Sequence, residues 1–373
     1  MLHNSLRATP QSVVVPQAEL PDTFPLSGKL RSGDAVIKSL SPNPKTKKRK
    51  QKIPPKGRIH MTDKTLGLYI HIPFCISKCP YCDFYSGTDD SLMGRYTDAL
   101  VLHMEDYAGS ASSYDVDTVY FGGGTPSLMS PAQAARLIDA FSPLSDAEIT
   151  LEANPETVTP ESLRAFRKAG VNRLSIGVQT ARDDSLKRLG RPHTAQQART
   201  ALEAAHAAGF ENLSGDIMMA LPNYSRDEFD ETMKLIAESG AVHISAYLLK
   251  IEAGTPFGLH PPAGLPTEDE SADFYLYAVD QLEKAGFAQY EISNFARPGY
   301  EGRHNLIYWN CENYLGLGPA AHSCIQNRRF YYANHLADFM HGQCTLKEEG
   351  VCDVSDYIIL QLRLRSGLNL KKL

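Results

Sequence analysis

The stretch LGLYIHIPFCISKCPYC occupies residues 66–82 of the chain. It opens on a run of apolar and β-branched residues, which predicts a buried strand. It closes on three cysteines, Cys75, Cys79 and Cys82, in a Cys-x3-Cys-x2-Cys spacing. That spacing brings three thiols to one loop without long-range closure. The stretch therefore predicts a strand whose C-terminal end carries a metal or cluster site.

Three cysteines this close together, in a chain with seven, favour metal binding in a reducing compartment over a disulfide framework. A structural zinc site takes four ligands, so zinc would also need His71 or a distant cysteine. A 4Fe–4S cluster that only transfers electrons takes four cysteines, so three leave one iron open for another molecule. The spacing favours the iron–sulfur cluster, with zinc and incidental thiols as alternatives. The other cysteines are scattered and are predicted to be buried small hydrophobes: Cys311, Cys324, Cys344 and Cys352.

Six strand-like runs alternate with stretches of helical spacing. The predicted strands are residues 66–74, 118–124, 148–154, 172–180, 212–222 and 243–250. Helix N-caps are predicted at Ser130, Thr159 and Ser225, and C-cap glycines at Gly170, Gly209 and Gly240. Alternating strands and helices predict a parallel sheet with right-handed crossovers.

Polar or glycine-rich residues fall at the C-terminal ends of these runs. They are Gly122–Thr125, Glu152, Asn154, Gln179 and Lys250, with Asp216 inside the fifth run. Charged groups in apolar strands are costly unless they are paired or functional, and barrel enzymes take their active residues from these strand ends. We therefore predict an α/β fold, a partial (β/α)6 TIM-like barrel over residues 61–290, rather than a doubly wound sheet. A small C-terminal α+β accessory region is predicted over residues 291–373.

The first 60 residues differ in composition from the rest. Of the 38 Lys and Arg and 43 Asp and Glu in the chain, 12 and 3 lie in residues 1–60, which leaves 26 and 40 for the remainder. A basic, proline-containing segment of this kind buries too little apolar surface to offset its ordering entropy. Residues 1–60 are therefore predicted to be a disordered basic extension.

The acidic remainder gives no sign of nucleic-acid binding. No stretch reaches 18 consecutive apolar residues, and no apolar signal segment opens the chain, which argues against a membrane span and secretion. We predict a cytoplasmic protein; its oligomeric state cannot be predicted from these features.

The cysteine motif YIHIPFCISKCPYC, residues 69–82, resembles the signature of the radical S-adenosylmethionine (SAM) superfamily. Further motifs, in order, resemble the branch that contains oxygen-independent coproporphyrinogen III dehydrogenase: YFGGGTPSLM (120–129), LEANPETV (151–158), RLSIGVQT (173–180), LGRPHT (189–194) and DIMMALP (216–222). The resemblance runs from about Leu66 to the end of the chain. It also implies that relatives continue past Leu373, so the accessory region is predicted to be truncated.

By this resemblance the three cysteines hold a 4Fe–4S cluster whose open iron binds the amino and carboxylate groups of SAM. The implied cofactor contacts are Tyr69, Tyr81, Gly123, Gly124, Thr125, Glu152, Gln179, Arg191 and Asp216. Their chemistry suits the role, because glycines allow close backbone approach and an arginine can pair with a carboxylate. Two alternatives stay open: a plain salt bridge between Glu152 and Arg191, and a shielding role for Tyr81.

Two features of the sequence distinguish a dehydrogenase from a heme chaperone. Phe84 stands where the dehydrogenase has a fourth cysteine, and His304-Asn305-x-x-Tyr308 resembles the motif of the HemW-like heme chaperones. A neutral imidazole is a suitable heme ligand, so His304 is the first candidate for the heme ligand and His322 is the second. The alternative is that His304 only fixes the conformation of its own loop.

The preferred function is a heme chaperone that delivers heme to an acceptor protein, which the sequence does not name. The alternatives are an oxygen-independent coproporphyrinogen III oxidase acting on the porphyrinogen and a zinc-stabilised binding protein, so whether the chain is an enzyme stays open.

Overall fold

The computed structural model describes residues 64–111 and 113–370, and for residues 108–111 it describes the backbone only. The extension predicted over residues 1–60 lies outside the described residues. The strands are β1 (Thr65–Ile72), β2 (Asp115–Gly123), β3 (Glu148–Ala153), β4 (Arg173–Gln179), β5 (Asn212–Met219), β6 (His243–Leu248), β7 (Ala288–Glu291), β8 (Asn294–Ala296), β9 (Tyr314–Leu317), β10 (His322–Ile325), β11 (Arg328–Tyr332) and β12 (Leu346–Val351).

The α-helices lie mainly between these strands, and the described part of the chain also contains three short 3-10 turns. They are α1 (Met93–Ala111), α2 (Pro131–Phe141), α3 (Pro160–Lys168), α4 (Asp183–Arg188), α5 (Ala195–Ala207), α6 (Arg226–Glu238), α7 (Pro256–Leu259), α8 (Glu268–Lys284), α9 (Arg303–Trp309), α10 (Leu336–Met340) and α11 (Val354–Gln361). No helix in the described part of the chain is long and apolar enough to cross a membrane.

The six predicted strands are β1 to β6, and they lie side by side in chain order with parallel pairing throughout. The sheet does not close on itself, because β9 borders β1 and β8 borders β6. The prediction of a partial α/β barrel is therefore confirmed.

Strands from the C-terminal part of the chain continue the sheet at both edges. β9 pairs in parallel with β1, and β10, β11 and β12 follow it in antiparallel order. At the other edge β8 pairs antiparallel with β6, and β7 lies outside it. The region predicted as accessory thus contributes strands to the same sheet, and the division at residue 290 stays a prediction.

The predicted helix ends are found where the local chemistry requires them. The side chains of Ser130, Thr159 and Ser225 each accept a hydrogen bond from a backbone N–H in the first turn of α2, α3 and α6. Past the ends of α3, α5 and α6, Gly170, Gly209 and Gly240 have φ values of +109°, +89° and +86°, which L side chains rarely adopt.

Alternation along the strands divides the sheet into an apolar outer face and a polar inner face. In β5, Leu213 and Ile217 belong to the core under the helices, and a Cβ on Gly215 would lie 2.6 Å from the side chain of Ile236 in α6. The residues between them, Ser214 and Asp216, therefore point into the barrel. This polar interior is where the candidate site forms.

Candidate functional site

The cysteine loop begins at the C-terminal end of β1. Backbone hydrogen bonds close the loop: Cys75 N donates to Gly87 O at 2.9 Å, and Gly87 N donates to Pro73 O at 2.9 Å. Cys79 is buried, Cys75 and Cys82 are half-buried, and all three are free thiols. The structure thus places the three predicted ligands in one closed loop at the barrel mouth.

Within residues 64–111 and 113–370, no three His, Cys, Asp or Glu side chains converge as the ligands of a single metal ion do. The ligands of a four-iron cluster bind separate irons, so they stand farther apart than those of one ion. Burial raises the pKa of Cys82, and the nearby sulfurs of Cys79 and Cys75 add to the shift. Three free thiols of one loop, close enough to perturb each other, fit a 4Fe–4S cluster.

The glycine turn after β2 is fastened to this loop. Gly124 N donates to Ile72 O at 2.9 Å, and Thr125 N donates to Phe74 O at 2.7 Å. A Cβ on Gly124 would lie 2.6 Å from Phe74 O and 2.8 Å from Ile72 O, both backbone atoms. At Gly123 φ is +110°, so this residue too favours glycine. The turn is built for close backbone approach.

Glu152, at the end of β3, faces this turn. Its carboxylate accepts a hydrogen bond from Tyr120 Oη at 2.7 Å and one from Gly123 N at 3.2 Å. Burial raises the pKa of Glu152, and the charge of Asp216 raises it further. Asp216 itself accepts from Ser175 Oγ at 3.0 Å, and burial raises its pKa as well. The barrel interior therefore holds two desolvated carboxylates that a cationic ligand would stabilise.

Arg191 does not pair with Glu152, so the salt-bridge alternative is wrong. Its guanidinium donates to Asn154 Oδ1 at 2.6 Å and to Gly177 O at 3.2 Å, and it lies 3.8 Å from Cys79 Sγ. Its buried Nε has no hydrogen-bond partner in the described structure. A cation against the cluster loop with an unused donor can receive an anionic ligand group.

Gln179 ends β4 with φ of +67°, at a register shift between β4 and β5. A non-glycine residue in this region is strained, and such strain is concentrated at functional sites. Tyr81 packs with Leu189, Met218 and Leu221, and its ring centroid lies 6.4 Å from that of Phe257. This gives the mouth an apolar wall beside the cysteine loop.

Tyr69 and His71 project from β1 into the same region. Tyr69 Oη is 3.0 Å from His71 Nδ1, and His71 Nε2 is 2.8 Å from Tyr85 O. The structure thus brings Tyr69 to the interior beside Tyr120, with ring centroids 6.3 Å apart. Glu152 and Asp216 share this interior, whereas the glycine turn and Arg191 lie against the cysteine loop at the mouth.

Two residues of the site were missed from the sequence. Tyr120 precedes the glycine turn and holds Glu152. His193 lies 3.1 Å from Glu156 and 3.2 Å from Val178 O, and so fixes the segment that carries Arg191. Tyr120 belongs to the motif YFGGGTPSLM and His193 to the motif LGRPHT, but a motif does not show which neighbour a side chain hydrogen-bonds.

His304 lies at the opposite end of the barrel. Its backbone N donates to Glu148, the first residue of β3, at 3.2 Å, and its ring nitrogens lie 2.6 Å from Thr118 Oγ1 and 2.7 Å from Tyr308 Oη. Thr118 precedes Gly123 by five residues on β2, about 16 Å of strand. Burial lowers the pKa of His304 to about 3. His304 is therefore a neutral, buried imidazole with both nitrogens hydrogen-bonded.

The aromatic ring of Tyr120 connects the two ends of the barrel interior. It stacks on the His304 ring with centroids 5.0 Å apart and planes at 24°, while its hydroxyl holds Glu152. His322, the second candidate, stacks on Tyr331 and lies 2.9 Å from Glu349 on the C-terminal strands. The structure thus stacks His304 on Tyr120, whose hydroxyl binds Glu152, whereas His322 lies on β10 within electrostatic range of His71.

Residues 69–236 match the family model of the radical SAM superfamily. Heme chaperone HemW of Escherichia coli (strain K12) is 42% identical over 292 residues, which cover 74% of this chain and 76% of that protein. HemW of Mycobacterium tuberculosis (strain CDC 1551 / Oshkosh) is 36% identical over 337 residues, which cover 85% and 86% of the two chains.

At least one solved structure has the same fold. Coproporphyrinogen III oxidase (HemN) from Escherichia coli, a radical SAM enzyme, aligns with a TM-score of 0.66 and 23% identity over 77% of this chain and 71% of that chain. At this identity the likeness concerns architecture alone. The resemblance inferred from the motifs is confirmed: the chain belongs to the radical SAM superfamily and, within it, to the HemW family.

Proposed function

We propose that this chain is a heme chaperone built on a radical SAM barrel. The observation that carries the proposal is the arrangement of the barrel interior. A cluster loop and glycine turn lie at one end, and a buried histidine of the HemW-like motif lies at the other, with Tyr120 in contact with both sides. The names of the relatives, which are called heme chaperones, support the same function.

At the mouth, Cys75, Cys79 and Cys82 would hold a 4Fe–4S cluster. When bound, the cluster and SAM supply reductive radical chemistry. Arg191 would receive the cofactor carboxylate through its unused Nε, while Glu152 would accept hydrogen bonds from its amino group or ribose. The remaining contacts would line the cofactor: Tyr69, Tyr81, Gly123, Gly124, Thr125, Gln179 and Asp216.

At the other end, His304 would supply the heme ligand. Because burial lowers its pKa to about 3, the imidazole is neutral at physiological pH and needs no deprotonation before it binds iron. Nε2 must, however, be released from the Tyr308 hydroxyl at 2.7 Å, or Nδ1 from Thr118. Heme binding would thus require α9 to move from the end of the barrel.

The test is a heme titration of the full chain after anaerobic reconstitution with iron and sulfide. Heme absorbance is followed in the wild type, in His304→Ala and in His322→Ala as the matched histidine control. We expect stoichiometric heme binding in the wild type and His322→Ala, and its loss in His304→Ala. Equal binding by all three proteins would contradict His304 as the ligand.

A parallel incubation with coproporphyrinogen III, a reductant and SAM tests the alternative function. We expect no decarboxylated product. Product formation without heme uptake would replace the chaperone by a coproporphyrinogen oxidase. The cytoplasmic location, the lack of nucleic-acid binding and the nature of the heme acceptor stay predictions that these two assays leave untouched.

A further inference from the structure

Three cysteines outside the cluster loop form a second group of thiols, here called the thiol trio: Cys311, Cys324 and Cys352. All three are buried and free, and they pack together with Tyr357. Cys311 lies in the turn after α9, Cys324 lies in β10, and Cys352 follows β12. Three separate segments thus each contribute one thiol to the same cluster, and none of these thiols belongs to the proposed cofactor site.

Cys352 is the centre of the trio. Hydrogen bonding with the neighbouring thiols of Cys311 and Cys324 lowers the pKa of Cys352, and the charge of Arg329 lowers it further. Arg329 is fixed nearby, because it is the cross-strand partner of Cys324 and lies 3.1 Å from Asp356. Since the thiolate is the nucleophilic form of cysteine, the trio holds one activated sulfur and two thiols beside it.

Cys352 is buried but lies next to a segment that can open. Among the residues that the structure describes, β12 is the last strand at its edge of the sheet, and five of its six residues are exposed. Val351 and Asp353, on either side of Cys352, are exposed too. Edge elements with few buried contacts open locally at low free-energy cost. A small oxidant can therefore reach Cys352 without unfolding of the barrel.

We propose that Cys352 is a peroxide-reactive thiol and that Cys311 is its resolving partner. The Cys352 thiolate attacks one oxygen of hydrogen peroxide, the O–O bond breaks, and the products are Cys352 sulfenic acid and hydroxide. The Cys311 thiol then attacks that sulfur, forms the disulfide and releases water. Peroxide is reduced and the two thiols lose two electrons, so the step needs no other oxidant.

Cys311 is favoured over Cys324 by its position. Cys324 is held in β10 by pairing with Tyr314 and Arg329 on both sides, whereas Cys311 lies in a turn. The disulfide would tie the end of α9 to the segment that follows β12. Because α9 carries His304, the bond would restrain the movement that heme binding requires; this consequence, unlike the disulfide itself, rests on the proposed function.

The experiment uses the full chain with the substitutions Cys75→Ala, Cys79→Ala and Cys82→Ala, so that peroxide cannot act on the cluster loop. After brief treatment with equimolar hydrogen peroxide, free thiols are alkylated, and the chain is digested without reductant and analysed by mass spectrometry. We expect a peptide pair linked through Cys311 and Cys352, while Cys344, which is equally buried, stays fully alkylated.

Two variants complete the test. Cys324→Ser is expected to keep the linkage, and Cys352→Ser is expected to leave Cys311 and Cys324 free to alkylate. Full alkylation of all four cysteines after peroxide, a Cys324–Cys352 linkage in the parent chain, or a linkage that survives Cys352→Ser would each overturn the proposal. No heme or iron enters the assay, so its failure is separable from that of the proposed function.

Discussion

Replacing Gly124 by alanine tests whether the glycine turn and the cysteine loop are packed as closely as the structure shows. A Cβ at this position would lie 2.6 Å from Phe74 O and 2.8 Å from Ile72 O. These are backbone atoms, so no side-chain rotation can relieve the overlap. The two segments must separate, which stretches the hydrogen bonds from Gly124 N to Ile72 O and from Thr125 N to Phe74 O.

The expected cost follows from these two effects. Overpacking costs about 1–3 kcal/mol, and stretching the two hydrogen bonds without breaking either adds about 1 kcal/mol in total. Gly124→Ala should therefore lower the free energy of unfolding by about 2–4 kcal/mol. With an m-value of about 3 kcal/mol/M, the urea midpoint falls by roughly 1 M. The assay is urea unfolding of the cluster-free full chain, followed by circular dichroism.

Gly94→Ala is the matched control. Gly94 lies in the first turn of α1, is exposed, and has no atom within 4 Å of a Cβ placed on it. Alanine there should be neutral or stabilise by up to about 1 kcal/mol. Equal midpoints for Gly124→Ala and the wild type, at unchanged m-value, would refute the close packing of the turn against the loop.

Three further predictions concern the barrel interior and the core. Burial lowers the pKa of His103 to about 3 and leaves both ring nitrogens without a hydrogen-bond partner in the described structure. Because the unfolded chain takes up the proton first as pH falls below about 6.5, the free energy of unfolding decreases as pH falls. In urea unfolding, that free energy should fall between pH 7 and pH 5 by about 2 kcal/mol less in His103→Leu than in the wild type. An identical pH dependence for both proteins would contradict this. Asp216→Ala should weaken SAM binding about 10- to 100-fold in calorimetry at unchanged iron content, because a charged acceptor is lost, and unchanged affinity would make Asp216 structural. Tyr308→Phe should raise heme affinity about fivefold by freeing His304 Nε2, with Tyr331→Phe as control, and weaker binding would show that the hydroxyl assists the ligand.

The six barrel strands could be predicted from sequence because their signals are local. Apolar runs, serine and threonine N-caps and C-cap glycines act within a few residues. The strand ends were less well predicted: the runs assigned to 66–74 and 212–222 end in the structure at Ile72 and Met219. Beyond those points the chain forms the cysteine loop and the turn after β5, where apolar residues line a mouth rather than a sheet.

The cluster cysteines could likewise be predicted, because one loop carries all three. The pairing of Arg191 could not, since its partners Asn154 and Gly177 come from two other strand ends and depend on how these ends meet. The position of His304 under the barrel depends on the packing of α9 against β2 and β3, which no local pattern encodes. The thiol trio was missed for the same reason, because its members are brought together by β10, β12 and the turn after α9.

Both candidate functions depend on a 4Fe–4S cluster that is held by three thiols and has one iron open to SAM. The measurement is electron paramagnetic resonance of the full chain, reconstituted anaerobically with iron and sulfide and then reduced, before and after addition of SAM. We expect a reduced 4Fe–4S signal that changes shape when SAM is added, is absent in Cys79→Ala and is retained in Cys344→Ala. A signal that SAM leaves unchanged would contradict the open iron, and a Cys79→Ala spectrum identical to that of the wild type would contradict the three-thiol ligand set.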